Sequence, residues 1–271
     1  WFLIPAFSAL TIVPFYFLVR NLADVKTASL ASLLLAFAPL RMFMLQDTLY
    51  ENAIGNFFLI LALYFCFNEK ANFPVRSIVS AITLFLSHIL PSLIFITSLI
   101  VYCLTNGWTA RTKRMLLILS ATTVFFAGLL ILGFGWSSAS ITKTFLSPHF
   151  NSAEVMLAEM YSLRHVFIPS LTLSVAAFSL VFAKRISGRR GSGLMASILI
   201  GLILLSLPLL LKTDYSKFWW FLRLWFHVEF PITFYAATGV LQSVRGRYAV
   251  AMVFLLVLTD SLTIVSRYWY G

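Results

Sequence analysis

Long apolar runs follow one another along this chain, separated by short segments that carry most of the charged residues. Most runs are close to the roughly 20 residues that an α-helix needs to cross the hydrocarbon core of a bilayer. The pattern predicts an all-α fold, a polytopic membrane helical bundle of about ten helices that forms one domain over residues 1–271. The predicted helices are 1–19, 27–46, 48–68, 77–87, 89–105, 115–135, 164–183, 193–211, 218–242 and 248–266.

Two consecutive runs, 77–87 and 89–105, are each shorter than a full span. Basic residues flank the pair on both sides, and cytoplasmic loops of membrane proteins carry an excess of Lys and Arg. We therefore predict a short hairpin over 77–105 that turns near His88 on the outer side. The flanking basic residues are Lys70 and Arg76 before the pair and Arg111, Lys113 and Arg114 after it.

With this hairpin, five loops fall on the cytoplasmic side and together contain 13 Lys and Arg and 2 acidic residues. The other 7 acidic residues lie in the outer loops or within the helices. The alternation of cytoplasmic and outer loops along the chain therefore places nearly all carboxylates on the outer side or within the membrane. The five loops are 20–26, 69–76, 106–114, 184–192 and 243–247.

Composition agrees with a membrane protein, because only 11% of the residues are charged, whereas soluble domains have about 25%. The mean hydropathy is +0.94. The 20 Lys and Arg outnumber the 9 Asp and Glu, but they lie in short clusters between apolar runs. We interpret them as topology signals and expect no nucleic-acid partner. Cys66 and Cys103 lie inside apolar runs and are interpreted as small apolar fillers.

One substantial outer loop is predicted at 136–163. Within it, Asn151 and Glu154 form a pattern like a capping box, which predicts a short helix through Arg164. Its apolar residues suit a helix that lies on the outer membrane surface. Such a helix either closes the loop or covers a substrate, and the sequence leaves both readings open.

The polar segment between the second and third predicted helices carries the first candidate site. Asp47 and Glu51 lie four residues apart and share a helix face. A helix dipole alone favours acidic residues at this place, and Asp47 is also a candidate helix cap. Asn52 and Asn56, however, extend the polarity into the helix. Because polar groups at membrane depth usually face a cavity or one another, we interpret Asp47 and Glu51 as functional.

The predicted helix 218–242 carries the second candidate site. Trp219, Arg223 and His227 are spaced four apart and share a face. Pro231 removes the backbone donor that would pair with the carbonyl of His227, which predicts a kink. A snorkelling arginine within an interfacial aromatic belt is the alternative interpretation.

Three further residues are weaker candidates. His88 lies at the hairpin turn, where it either caps the turn or joins an outer site. Glu229 points away from Arg223 on a helical wheel, so we expect it to pair with another helix. Asp260 shares a face with Arg267, two turns on, and we expect it to be bridged toward the outer surface.

Five segments together resemble the GT-C superfamily of integral membrane glycosyltransferases, most of all its prokaryotic and archaeal branches. The resemblance covers about the first 110 residues and a later segment. It implies an enzyme of the prokaryotic plasma membrane that transfers a sugar from a polyprenyl-phosphate donor to an acceptor at the outer face, with membrane lipid and that donor as partners. The segments are VRNL, TASLASLLLAFAPLRM, QDTLYENAIGNFFLILALYF, SAITLFLSHILPSLIFITSLIVYCL and FWWFLRLWFHVEFPITFYAATGVL.

Carried onto this chain, the resemblance implies that Asp47 and Glu51 are the catalytic acidic residues and that Arg223 contacts the phosphate. We expect the three side chains to share one water-filled outer cavity. Such chemistry needs a carboxylate base and a cationic group or a metal ion to stabilise the departing phosphate. Whether a divalent metal ion is a cofactor therefore stays open. The other expected substrate-binding residues are His227, His88, Asn52, Tyr50 and Arg41.

The family's key acidic residue lies in a first outer loop that would precede Trp1. We therefore expect that the chain lacks this loop and that residues 1–271 alone do not transfer sugar. The competing class is a non-catalytic scaffold or a subunit of a transporter or flippase for lipid-linked sugars. Polar residues that collect on the outer side, with no internal repeat, favour the enzyme.

Overall fold

The computed structural model describes nine α-helices and one 3-10 helix. The described residues are 3–38, 50–68, 75–87, 89–107, 113, 117–118, 120–122, 124–125, 128, 175–176, 189–210, 224, 226–243 and 247–270. The α-helices are α1 (Leu3–Leu10), α2 (Ile12–Leu22), α3 (Val25–Ala36), α4 (Tyr50–Phe67), α5 (Val75–Ser87), α6 (Ile89–Asn106), α7 (Arg189–Leu210), α8 (Glu229–Ser243) and α9 (Arg247–Tyr270), and the 3-10 helix is Phe226–Val228.

The all-α prediction is confirmed for the described residues, and the bounds of α4, α5, α6, α7 and α9 lie within four residues of the predicted ones. By length and apolar composition, one helical stretch in this part of the chain, Pro5–Leu22, is sufficient to cross a membrane. Six other apolar helices have apolar stretches of 10–17 residues. The predicted helices 115–135 and 164–183 lie mostly outside the described residues, and the predicted loop 136–163 lies wholly outside them.

Consecutive helices alternate in direction, which the contacts between them establish. Phe67 at the end of α4 packs on Tyr102 near the end of α6, with ring centroids 4.9 Å apart. Gly193 at the start of α7 lies against Asn106 at the end of α6. Gly191 lies 3.0 Å from the Leu22 carbonyl at the end of α2, measured from an ideal Cβ position. The ends of α2, α4 and α6 and the start of α7 therefore lie together.

We call this the basic end. The starts of α3 and α5 follow α2 and α4 after short connections, and α9 follows α8 in the same way. Its basic residues, among those described, are Arg20, Lys26, Arg76, Arg189, Arg190 and Arg247. At the opposite end, which we call the far end, α4 and α6 begin, whereas α8 begins deeper in the bundle, where Phe230 packs on Phe15 of α2. This division agrees with the five loops that the charge pattern places on one side.

The predicted hairpin corresponds to α5 and α6. The hydroxyl of Ser92 in α6 donates a hydrogen bond to the carbonyl of Leu84 in α5, at 3.3 Å. This contact joins the two helices near their turn, at the far end. His88, at the turn itself, lies outside the described residues.

Two prolines explain two interruptions of the helices. Pro14 is the third residue of α2, and it has no N–H to donate to the carbonyl of Leu10, so the predicted helix 1–19 divides into α1 and α2. Pro231 is likewise the third residue of α8, and a 3-10 turn precedes that helix. The predicted interruption of 218–242 is therefore observed at the start of α8.

The most extensive helix contact, between α6 and α7, is built from small residues. Gly193, Ser197 and Gly201 recur every fourth residue along α7. An ideal Cβ at Gly201 would lie 3.0 Å from the Thr97 hydroxyl and 3.3 Å from the backbone nitrogen of Ser98. The absence of a side chain there lets the two backbones approach closely.

Candidate functional site

The start of α8 buries two ionisable side chains inside the bundle. His227 is fully buried in the 3-10 turn, and Glu229, the first residue of α8, is 2% exposed. The His227 Nδ1 lies 3.2 Å from the carbonyl oxygen of Leu224. A negative charge on Glu229 is favoured by the N-terminal dipole of α8. This junction therefore combines an imidazole and a carboxyl group in a water-poor environment.

A second interrupted helix lies beside this junction. The rings of Phe15 in α2 and Phe230 in α8 have centroids 5.6 Å apart. Thr11, one turn before Phe15, is 1% exposed, and its hydroxyl donates to the carbonyl of Phe7 at 2.8 Å. The starts of α2 and α8 therefore lie side by side, and their buried polar groups occupy a similar level of the bundle. We call this region the paired helix breaks.

Local hydrogen bonds stabilise the first turns of α8. The hydroxyl of Thr233 donates to the carbonyl of Glu229 at 2.8 Å and lies 3.2 Å from the carbonyl of Phe230. Farther along, the Tyr235 hydroxyl donates to the carbonyl of Ser192 in α7 at 2.9 Å. The side chains of α8 thus fix this helix against α7 at a position close to the basic end.

Asp260 in α9 is a third buried acidic residue. It is 1% exposed, so it lies inside the bundle, and its predicted bridge toward the outer surface stays a prediction. It is the fourteenth residue of α9, whereas Glu229 is the first of the 15 residues of α8. Asp260 therefore lies near the middle of α9, whereas Glu229 lies at the start of α8, next to Phe230, which packs on Phe15 of α2.

The structure describes part of the first predicted site, at the start of α4. Tyr50, Glu51 and Asn52 form the start of α4 at the far end, as expected. Asn56, one turn on, is 1% exposed and faces the bundle interior. The remaining predicted site residues, Arg41, Asp47, His88 and Arg223, lie outside the described residues.

The proposed sharing of one cavity by Asp47, Glu51 and Arg223 stays a prediction. Within the described helices, α2 contacts both α4 and α8: Phe17 packs on Tyr64, with centroids 6.0 Å apart, and Phe15 packs on Phe230.

Thr11 is absent from the predicted site residues, and Glu229 is among the weaker candidates. Each lies in an apolar run two or three residues before a proline, at Pro14 and Pro231. A polar residue followed at that distance by proline was the available signal, since proline frees a backbone carbonyl and often begins a helix.

Asp24, at the basic end, differs from the buried carboxyl groups. Partial burial raises the pKa of Asp24, but hydrogen bonds from the backbone and side chain of Thr27 and the nearby charge of Lys26 together outweigh it, so the pKa lies below its ordinary value. The Thr27 N–H and hydroxyl each donate to this carboxylate at 2.9 Å. Asp24 is therefore a helix cap of α3.

Among the residues that the structure describes, no group of three His, Cys, Asp or Glu side chains is arranged to hold a metal ion. Cys66 and Cys103 are buried thiols that form no disulfide, in agreement with their interpretation as fillers. Comparison with known protein families, with curated proteins and with solved structures finds no match to this chain.

Proposed function

We propose that this chain is a multi-pass membrane protein. The supporting observation is the orientation of α9, which exposes Val250 by 71% and Phe254 by 68% but buries Asp260. A helix on the surface of a water-soluble protein shows the opposite arrangement. The close approach of α6 and α7 through glycine and serine is also typical of helices in lipid, where small residues replace the hydrophobic effect as the source of packing.

We further propose that the protein transfers a sugar from a polyprenyl-phosphate donor to an acceptor at the far end. The observation that carries this proposal is the position of Glu51, which begins α4 at the far end, opposite the basic end, while Glu229 is buried within the bundle. Ionisable groups inside a membrane are costly and usually functional. The resemblance to GT-C glycosyltransferases supports the same reaction class.

In this proposal, a carboxylate accepts the proton of the acceptor hydroxyl as the hydroxyl oxygen attacks the anomeric carbon of the donor. The bond between that carbon and the phosphate oxygen breaks, and the polyprenyl phosphate leaves with the bonding electrons. Asp47 and Glu51 are the proposed bases. Arg223 is proposed to contact the departing phosphate, whose two oxygens match its planar donors. His227 and Glu229 are proposed to hold the start of α8 in position from within the bundle.

A second function, transport of the lipid-linked sugar, is favoured by the paired helix breaks. Interrupted helices with buried polar groups line substrate sites in many transporters. Here Thr11 and Glu229 occupy two adjacent interruptions. Transport moves the intact donor across the bilayer, whereas transfer separates the sugar from its phosphate, so the two functions have different products.

The test uses the product of the whole reading frame that encodes this chain, reconstituted in sealed vesicles. The probe is a polyprenyl-phosphate hexose with a tritiated sugar, and the products are separated into lipid-linked and transferred label. Glu51→Gln is expected to lower transfer 10²- to 10⁴-fold, the usual contribution of a general base. The control Asp24→Asn removes a carboxylate at the basic end and is expected to leave transfer unchanged.

Equal transfer by Glu51→Gln and the unsubstituted protein would remove Glu51 from the proposed mechanism. Label that reaches the opposite leaflet while still linked to lipid would assign transport in place of transfer. The expectation that residues 1–271 alone are inactive is measured in the same assay.

A further inference from the structure

Four buried polar side chains lie in apolar helices between the start of α4 and the start of α8. They are Asn56 in α4, Ser8 in α1, Thr11 between α1 and α2, and Glu229 in α8, and each is at most 3% exposed. Polar groups at membrane depth are costly and usually face a cavity or one another. The contacts between these helices show how the four residues are arranged.

The first contact joins α4 to α1. The ring of Phe57 packs on the ring of Phe7, with centroids 5.4 Å apart. Asn56 and Ser8 are chain neighbours of these two rings. The carbonyl of Phe7 also accepts the hydroxyl hydrogen bond of Thr11, at 2.8 Å. The first three polar residues therefore lie within about one helical turn of a single aromatic contact, near the far-end start of α4.

The second contact joins α2 to α8. Phe15 lies one turn after Thr11, and its ring packs on Phe230, with centroids 5.6 Å apart. Glu229, the first residue of α8, immediately precedes Phe230. Thr11 and Glu229 are therefore each within about one turn of this contact. We call the four residues the polar row, which leads from the far end to Glu229.

Other ionisable groups belong to the elements packed against α8, which are the 3-10 helix, α2, α3, α7 and α9. Among the described side chains of these elements, His227 and Asp260 are buried, and Tyr235 is buried in α8 itself. The remaining ionisable residues of these elements are Tyr16, Arg20, Asp24, Lys26, Arg189, Arg190, Arg247, Tyr248, Arg267, Tyr268 and Tyr270.

A proton is the ligand that suits Glu229. Metal ions in proteins take several ligands, and no three His, Cys, Asp or Glu side chains within the described ranges are arranged to hold one. A proton needs one carboxyl oxygen. Acidic residues inside membrane proteins mark proton relays and ion pathways.

We propose that Glu229 is a proton-binding site, that protons reach it from the far end along the polar row, and that its protonation is coupled to transport of the lipid-linked sugar. The carboxylate takes one proton from the aqueous phase at the far end and later releases the same proton. The inference rests on the proposed membrane location and on transport, the second proposed function, to which it adds the coupling ion.

The first experiment detects the proton by infrared spectroscopy of the purified product of the whole reading frame, across a pH titration. A carboxylic acid has a carbonyl stretch that a carboxylate lacks, and carbon-13 glutamate separates glutamic from aspartic acid. Glu229→Gln is expected to lose one labelled band, and Glu229→Asp to replace it with an unlabelled one. Asp260→Asn, which removes another buried carboxyl group, is expected to keep the labelled band.

The second experiment tests the route by mixing with D₂O, which shifts the same band as the proton exchanges. Thr11→Val keeps the side-chain shape but removes the hydroxyl, so it is expected to slow exchange at Glu229 without changing the band amplitude. Thr238→Val is the matched control. Thr238 is also buried and donates to a carbonyl one turn earlier, but it lies nine residues beyond Glu229. This control is expected to leave the exchange rate unchanged.

The third experiment adds a pH-sensitive dye to the interior of the sealed vesicles used for the transport assay. Movement of the polyprenyl-phosphate hexose across the bilayer is expected to be accompanied by proton movement. In Glu229→Gln, the proton signal is expected to fall to that of vesicles without protein.

A labelled band that persists in both Glu229 variants would overturn the proton site, and so would its equal loss in Asp260→Asn. Equal exchange rates in Thr11→Val and Thr238→Val would overturn the polar row as the route. Transport of the lipid-linked label without proton movement would overturn the coupling. Absence of transport in a protein that keeps the band would instead remove the second proposed function and leave the proton site.

Discussion

The contact between α6 and α7 and the attachment of α9 are two different ways of holding a helix in this bundle. Along α7, Gly193, Ser197 and Gly201 bring the backbone against α6 over most of its length. In contrast, α9 buries a narrow stripe that includes Leu256 and Asp260, and it contacts α8 and α3 far less extensively. Close backbone packing holds α6 against α7. The position of α9 depends instead on the contacts of its buried stripe and on the medium that its exposed face meets.

The difference explains where each region is vulnerable. The contact of α6 with α7 leaves no space for an added side chain, so it is sensitive to volume. The exposed face of α9 has room for a larger side chain, but it is apolar, so it is sensitive to an added charge. The predictions below test these two sensitivities, beginning with the larger expected effect.

The largest effect is expected from Phe254→Asp in α9. Phe254 is 68% exposed, and in the proposed bilayer this face meets lipid, where a charged residue near the centre of a helix costs about 2.5–3.5 kcal/mol. The fraction of the chain that inserts into membranes, compared between the variant and the unsubstituted protein, gives the measured cost.

Phe254→Leu is the control for this prediction, because it keeps the position apolar and is expected to insert normally. Surface substitutions in water usually change stability by less than about 0.5 kcal/mol. An effect of Phe254→Asp within that range would place the face of α9 in water and contradict the proposed membrane location.

A smaller effect is expected from Gly201→Ala in α7. The new methyl group would lie 3.0 Å from the hydroxyl of Thr97, which donates to the carbonyl of Leu93 at 2.8 Å, and 3.3 Å from the backbone of Ser98. Overpacking of this kind costs about 1–3 kcal/mol. Unfolding in a denaturing detergent series measures the loss of stability.

The matched control is Gly128→Ala, since an ideal Cβ at this helical glycine meets nothing within 4 Å. Alanine is favoured over glycine in a helix by about 1 kcal/mol, so this variant is expected to be as stable as the unsubstituted protein or more so. Equal behaviour of the two variants would show that α6 and α7 do not approach closely at Gly201.

The smallest effect is expected from Asp24→Ala, which removes the cap of α3, the helix that contacts both α8 and α9. Loss of a helix cap costs about 1 kcal/mol. Because the pKa of Asp24 is lowered in the folded protein, its stabilising contribution is present above the unfolded pKa of about 3.9 and is lost as the pH falls through the lower folded pKa. Unfolding measured between pH 7 and pH 2 should show the two proteins converge at low pH.

Asp24→Asn is the control here, because asparagine also caps helices well. It is expected to retain most of the stability at pH 7 and to lack the loss at acid pH. A pH dependence that persists in Asp24→Asn would have to arise from other groups.

Much of the fold could be predicted because apolar length and charge position are local properties of the sequence. The bounds of α4 and α6, and the hairpin of α5 with α6, follow from the apolar runs and their basic flanks. The division of the predicted helix 1–19 into α1 and α2 is not predicted, because the apolar run continues through Pro14. Pro14 is nevertheless the cause of the division.

The candidate site was harder to predict because burial depends on which helices become neighbours. The spacing of Asp260 to Arg267 predicts a shared helix face but not burial, which follows from the packing of α9 on α3 and α8. In the same way, the position of Thr11 beside the start of α8 depends on the contact of Phe15 with Phe230, which lie far apart in the sequence.

The packing of α8 against α3 has a consequence for synthesis on the ribosome. Roughly 190 residues separate the end of α3 from the start of α8, so at about 5–20 residues per second α3 waits on the order of 10–40 s for this partner. During that time Leu30, Leu34 and Ser32, which are buried in the finished bundle, lack the helix that later covers α3. In the proposed membrane location, the nascent chain therefore presents an incomplete face that insertion factors shield until α8 is synthesised.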